Sequence, residues 1–249
     1  MDAPIFHASA EALAGDLIEL SKVESHHAAS VLRLKRGDLV LIVDGLGQAS
    51  RGEIERIGRG RNVRVLVHTR HRNFGEPVVR LTLAAGLSVG SKQDTILQKA
   101  TELGIKRFVP VLSERSRVKL QDPKRTLSRI KRLEKVALAA VKQCRRSYRP
   151  EIAEPVSFES FISTTDPATA NLIFHQSDSA TPLSAMLPDE NVSRVTILVG
   201  PEAGFSEDEI AAAAAAGYRL VSLGRRVLRS ENAAPVACAL VMAQLGELS

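Results

Sequence analysis

Residues 196–238 read TILVGPEAGFSEDEIAAAAAAGYRLVSLGRRVLRSENAAPVAC. The β-branched run Val195-Thr196-Ile197-Leu198-Val199 suits a buried strand and breaks at Gly200-Pro201. Ser206 and Glu209 then have the Ser-x-x-Glu spacing of a capping box, in which each side chain satisfies the other's free backbone amide. The alanine run to Ala216 is a strong helix former, and Gly217 can end it. Leu220–Leu223 makes a second strand, closed by Gly224. A basic loop, Arg225 to Arg229, follows, and Ser230 or Asn232 can cap a last helix over 233–245. Two successive strand ends thus open into polar, glycine-marked loops that lead into helices. In open α/β sheets ligands bind outside the carboxyl ends of the strands, so the chemistry is expected there.

The rest of the chain restricts the class of protein. At 249 residues it can hold one large or two ordinary domains. No apolar run approaches the roughly 20 residues of a membrane span, and the N-terminus lacks the pattern of a signal peptide. Cys144 and Cys238 are too few for a disulfide framework or a zinc site, so reduced thiols and a cytoplasmic location are expected. The net charge of +6 is unevenly spread: residues 1–80 carry +2, residues 81–150 carry +12 and residues 151–249 carry −8. A field focused on the middle third suits a polyanionic partner, which binds with release of condensed counterions.

Residues 1–72 have the signals of a small β domain. Strands are expected over 37–45, 49–57 and 62–68, with Gly58-Arg59-Gly60 as a turn and a short helix over 24–33. Closely spaced short strands suggest a small barrel. Residues 70–78 have linker character. A strand over 78–85, a helix opened by Ser91 and stopped by Gly104, and a strand over 105–111 then alternate as in a parallel sheet. A long helix is expected from Pro123 to about Gln143. Its apolar stripe comprises Leu127, Ile130, Leu133, Val136, Ala137, Ala140 and Val141, and lysines and arginines fill the remaining face. Residues 171–177 form a strand with a polar exit, and a short helix is expected from Thr181 to Leu187.

The chain has no G-x-G-x-x-G that opens a helix, no P-loop and no H-E-x-x-H. A nucleoside cofactor would need another cradle, and backbone groups at the glycine-bearing strand ends can provide one.

The segments Leu198–Ser206 and Leu223–Glu231 closely resemble the RsmE family, whose pattern is roughly G-P-E-G-G-F-S and L-G-x-R-I-L-R-T-E-T-A. Ala203 stands where the second glycine is usual, and Asn232 where threonine is usual. The runs HHAASVLRLKRGD (26–38) and SKQDTILQKATELGIKRFVPVLSERS (91–116) extend the resemblance. The family's members are SPOUT-class methyltransferases that methylate N3 of one uridine in 16S rRNA of the small ribosomal subunit, conventionally numbered 1498. The resemblance implies an α/β fold: a PUA-like, RNA-binding barrel over 1–72 and a SPOUT domain over 73–249 with a mainly parallel sheet and a C-terminal trefoil knot. It also implies S-adenosylmethionine as cofactor and a homodimer that completes the active site, with no membrane and no metal.

Carried over position by position, the cofactor loops are Phe174-His175, Gly200-Pro201-Glu202, and Leu223-Gly224 with Val227 and Leu228. Gly200 and Gly224 would let backbone approach the ligand, and Leu223, Val227 and Leu228 would form an apolar slot. Glu202 is either a ligand contact, a helix-terminus partner or a loop clamp. Methylation at N3 requires loss of the imide proton and stabilisation of the resulting anion. Arg229, with Arg226, is the expected stabiliser of that charge or of a phosphate, and Glu231 is either the proton acceptor or the residue that orients Arg229. Arg33, Lys35 and Arg36 in the barrel are expected RNA contacts, and the basic surface in and after the long helix, with Arg129, Arg132, Arg145 and Arg146, is expected to hold rRNA phosphates; the resemblance adds a Q-x-x-R segment there, matched by Gln143 and Arg146. A catalytically silent RNA-binding assembly factor, left open by Ala203 and Asn232, and a SPOUT ribose 2′-O-methyltransferase are the alternative readings.

Overall fold

Runs of β-branched and leucine residues become the strands, and Ser9, Ser21, Ser157 and Ser206 cap the helices that follow them, whereas Ser91 makes no capping bond to the helix at Lys92–Glu102. The computed structural model describes residues 3–118, 122–176, 181–185 and 192–248. The chain divides into two units, Met1–Glu76 with Leu138–Arg149, and Pro77–Ala137 with Pro150–Ser249. Residues 138–149 therefore group with the N-terminal strands, whereas the sequence reading put all of 73–249 in one domain.

The first unit is built on a curled five-stranded sheet, PUA-like in form. Its strands are β1 (Ile5–His7), β2 (Leu17–Glu19), β3 (Leu39–Val43), β4 (Gln48–Ile57) and β5 (Val63–Arg72), in the order β1-β3-β4-β5-β2. Only β1 and β3 run parallel. Two register shifts in the β4–β5 pair bend the long hairpin. Gly52 lies at the first: a Cβ there would stand 2.2 Å from Leu66 O, so no larger residue fits. β5 continues to Arg72, so the linker begins later than expected; the ladder pairs Arg70, His71 and Arg72 with Ser50, Ala49 and Gln48. Helices α1 (Ala10–Leu13) and α2 (Lys22–His26) are capped by Ser9 and Ser21, and α2 passes into a π-helical turn, His27–Val31, instead of running on as one short helix. Phe6, Leu13, Ile18, Ile42, Ile54, Val63 and Val65 form the core.

The second unit is a doubly wound parallel sheet. Its strands are β6 (Arg80–Gly86), β7 (Arg107–Leu112), β8 (Glu151–Ile152), β9 (Val156–Ser157), β10 (Ala170–Phe174), β11 (Thr181–Pro182), β12 (Arg194–Val199) and β13 (Arg219–Ser222). The order is β11-β13-β10-β12-β6-β7-β8, with β9 also on β7, and every pairing is parallel. Alternate residues serve opposite faces. Leu81, Leu83, Val195 and Ile197 pack with α3 (Lys92–Glu102), α7 (Ser230–Gln244) and the Leu133 and Ala137 side chains of α4 (Pro123–Cys144). Ala84, Val109, Ile173 and Leu198 pack with α5 (Phe158–Ile162) and α6 (Glu207–Ala215).

Three local expectations change. Thr181–Leu187 is not a helix as far as it can be followed: β11 leads into a 3-10 turn over Leu183–Ala185, and residues 186 and 187 lie outside the described residues. Leu127 does not join the buried stripe of α4, being 53% exposed. Helix α7 starts at Ser230 without a side-chain cap, and Pro235 sits inside it. Neither Ser230 nor Asn232 caps it, because both are already within its first turn.

Candidate active site

The carboxyl ends of β10, β12 and β13 converge on one cavity of about 260 Å³. β12 ends at Val199 and turns at once through Gly200-Pro201. This turn crosses the end of β6, where a Cβ on Gly86 would lie 2.3 Å from Pro201 N. Only glycine permits that approach. The turn closes with Gly204 N donating to Pro201 O at 2.9 Å, and Gly204 takes the left-handed conformation at φ 70°. Ala203 does not have a positive φ. Alanine therefore costs the backbone nothing at the position where the family pattern has glycine.

The expected capping box is present. Ser206 Oγ accepts from Glu209 N at 3.2 Å, and Glu209 Oε2 accepts from Ser206 N at 2.9 Å. The other oxygen, Oε1, accepts from Glu114 N at 2.8 Å. One buried carboxylate thus ties the 200–206 loop to the loop after β7.

At the end of β10, His175 N donates to Val221 O at 3.1 Å, and Gln176 Nε2 donates to Arg225 O at 3.0 Å. At the end of β13, Gly224 N donates to Ser222 Oγ at 3.0 Å, and Gly224 is left-handed at φ 96°. These bonds hold the 223–228 loop against the β10 exit.

All nine residues expected to bind cofactor line the cavity: Phe174, His175, Gly200, Pro201, Glu202, Leu223, Gly224, Val227 and Leu228. Of the three expected catalytic residues, Arg226 lines it too. Arg229 and Glu231 do not; they flank the lining residue Ser230 at the start of α7. Arg229 is exposed, and the Glu231 carboxylate accepts a bond from Ser230 Oγ at 3.3 Å. Gln176, Ala203, Phe205 and Ala233 also line the cavity and were not anticipated.

Charge at the site is arranged by pairing. Lys92 Nζ lies 2.8 Å from Glu202 Oε1. Burial would raise the Glu202 carboxyl, but hydrogen bonds from Lys92 and its own backbone, with the charges of Lys92 and Arg117, hold it below its ordinary range. Glu202 is therefore an ionised loop clamp that also lines the cavity. Burial, aided by nearby Arg115, holds the His175 imidazole below its ordinary value and keeps it neutral near pH 7.

The expected RNA contacts fare unevenly. Arg33, Lys35 and Arg36 are exposed. Arg132 Nη2 lies 3.1 Å from Asp94 Oδ1, and Arg129 is half-buried, with its Nη1 enclosed and without a hydrogen-bond partner. Arg145 Nη2 donates to Ala3 O at 2.8 Å. Arg146 requires a correction. It is 2% exposed, and its guanidinium binds Glu76 at 2.8 Å from Nη2 to Oε2 and 3.3 Å from Nε to both oxygens. It is a structural ion pair and presents no charge to a phosphate.

The model of an RNA methyltransferase domain matches residues 75–242, and that of an RNA methyltransferase PUA domain matches residues 20–61. The chain is 31% identical over 230 residues to the ribosomal RNA small subunit methyltransferase E of Synechocystis, covering 92% of this chain and 73% of that protein. It is 30% identical over 225 residues to the protein of the same name from Mycobacterium tuberculosis, covering 88% and 83%. Among solved structures, ribosomal RNA small subunit methyltransferase E from Neisseria gonorrhoeae bound to S-adenosyl methionine superposes with a TM-score of 0.86 at 25% identity, over 98% of each chain. A methyltransferase from Legionella pneumophila in complex with the cofactor SAM does so with a TM-score of 0.86 at 27% identity, over 98% of each chain. Domain models over both parts of the chain and relatives alike over most of its length make it a member of the ribosomal RNA small subunit methyltransferase E family.

Proposed function

We propose that this protein transfers the methyl group of S-adenosylmethionine to N3 of a single uridine in 16S rRNA of the small ribosomal subunit, the position conventionally numbered 1498. The observation that carries the reading is the cavity itself, whose lining from three strand-end loops includes the residues expected to bind cofactor. The residues present fit the cofactor. Gly204 and Gly224 have open space where a Cβ would stand, so backbone can meet a ligand there. Phe174, Val199, Leu223 and Leu228 add apolar surface beside those polar backbone groups.

When bound, S-adenosylmethionine supplies an already activated methyl group. The chain's own residues do the remaining work. The glycine loops hold and orient the donor, and neutral His175 adds no positive charge beside it. Arg226 on the cavity wall and Arg229 at the start of α7 stabilise the negative charge that spreads onto the uracil carbonyls as N3 loses its proton. Glu231 forms no ion pair with Arg229 among the described residues, which favours it as the proton acceptor. The target atom lies on the Watson–Crick edge, so the nucleotide must be unpaired or flipped out.

In this reading residues 1–72 supply an RNA-binding module, with Arg33, Lys35 and Arg36 on phosphates, and residues 73–249 the catalytic one. Arg129, Arg132 and Arg145 extend the RNA surface, and the reaction takes place in the cytoplasm. A homodimer is part of this proposal, supported by the exposed, uncharged residues Asn232, Val236, Leu240 and Ala243, which recur at helical spacing along α7. Sedimentation should find two chains per particle.

The deciding experiment incubates the protein with S-adenosylmethionine and either 16S rRNA or small subunits from a strain lacking the modification, and locates the methyl group by mass spectrometry. N3-methyluridine at one position is expected. A methyl on ribose would overturn the acceptor, and no cofactor binding by calorimetry would replace the enzyme with a silent assembly factor.

A further inference from the structure

The rim of the cavity draws cations from a second strand end. Arg115 and Arg117 lie in the loop after β7, residues 113–118, and both are exposed. Arg115 Nη1 donates to Ala203 O at 3.4 Å, a long bond that uses one of the five donors of a guanidinium. Arg117 is close enough to Glu202 to act on its ionisation. Neither arginine lines the cavity. Both stand outside the space a cofactor would fill.

The loop that carries them is fixed from below. Glu209, 6% exposed, receives Glu114 N on one oxygen and Ser206 N on the other. Ser113 N donates to Ser116 Oγ at 3.0 Å and Ser116 N donates back to Ser113 O at 3.0 Å, closing the turn around Arg115. Ordering two arginines on a rim is costly unless they meet an anion, and the carboxylates nearby are committed. Glu202 is held by Lys92, Glu209 by two amides, and among the described residues no carboxylate forms an ion pair with Arg115 or Arg117. An extended polyanion passing over the cavity meets these conditions.

We propose that Arg115 and Arg117 bind backbone phosphate of the RNA strand next to the extruded nucleotide, so that the loop after β7 forms part of the substrate site. This rests on the RNA-methylation reading above. The two arginines supply affinity and position the strand, and the 223–229 loop supplies the charge at the reacting base.

The test uses the full chain, a fluorescent single-stranded oligouridylate and a salt series, with calorimetry for S-adenosylmethionine. R115A/R117A should weaken RNA binding by roughly tenfold per arginine at low salt and flatten the salt dependence by about 1.4 log units per log unit of salt, the counterions of two single-strand phosphates. Cofactor affinity should stay within about twofold. R115K/R117K, which keeps both charges, should restore the salt dependence; a role confined to folding the loop would not show that pattern. An unchanged RNA affinity and slope overturns the proposal. So does a fall in cofactor affinity equal to the fall in RNA affinity, which would make the arginines carboxylate contacts of the donor. If the wild type binds RNA with the predicted difference from R115A/R117A but transfers no methyl group, the reaction assigned above fails and the phosphate site stands. A wild type that binds no RNA removes both.

Discussion

The string Arg-Arg-x-x-Arg occurs twice, as Arg145-Arg146-Ser147-Tyr148-Arg149 and as Arg225-Arg226-Val227-Leu228-Arg229. In the first, the fold consumes the charge. Arg146 is buried on Glu76, whose Oε1 also accepts from Ser147 N at 3.0 Å and Tyr148 N at 2.8 Å, and Arg145 reaches the Ala3 carbonyl. Even the backbone is close-packed: a Cβ on Gly75 would stand 2.6 Å from Arg145 O. In the second, all three arginines are exposed, and the loop is anchored through a backbone carbonyl, that of Arg225, and not through a guanidinium. The same residues at the same spacing thus form a structural clamp in one unit and an exposed basic loop in the other. Counting charge does not measure the charge available to a ligand; partners do.

The sharpest way to break this contrast is Arg146→Ala. It strands the Glu76 carboxylate, which is almost fully buried, and should destabilise the first unit by about 3–5 kcal/mol in urea denaturation. A cost under about 1 kcal/mol would put Arg146 in the same class as the exposed loop. Arg229→Ala should do the opposite. It should lower kcat by roughly 10²–10³-fold, with stability changed by no more than about 0.5 kcal/mol and calorimetric affinity for S-adenosylmethionine kept. Undiminished turnover would remove Arg229 from the mechanism.

A smaller effect is expected from charge reversal at Arg129 and Arg132, which lie between the extremes. One is near Asp94 and the other partly enclosed, so RNA binding should weaken with a change in salt slope of about 1 or less. Equal affinity at low salt would assign both to structure. The smallest concerns His175. Its folded value is depressed, so as pH falls the unfolded chain takes up the proton first. The contribution of the neutral imidazole is complete above the unfolded value of about 6.5 and is lost as pH drops through the lower folded one. Arg115→Ala should raise the His175 midpoint in an NMR titration; no movement would separate the two loops electrostatically.

Much of the second unit was legible because its signals are local. Strand, glycine turn and capping box lie within fifteen residues of one another from Val195 to Glu209, and each appears where its spacing predicts. Other local readings failed. Ser230 and Asn232 as caps imply a start of α7 at 233; the helix begins at Ser230 without a side-chain cap, and Pro235 removes the amide that would have bonded to the Glu231 carbonyl. The short helix expected over 24–33 gives way partway to a π-helical turn.

The other features hidden in the sequence are long-range. The partner of Arg146 is 70 residues away, and Glu209 binds an amide 95 residues away. Gly86 is required by a proline at 201, and Arg115 is tied to the 200–206 loop by the Ala203 carbonyl, 88 residues away. Residue order carried the periodicities, the caps, the charge imbalance and the loop motifs, because each depends on neighbours within a few positions. Which arginines are buried, which glycine cannot change and which loops share a cavity depended on strand order and register. Those bring together atoms whose mutual energies no local pattern contains.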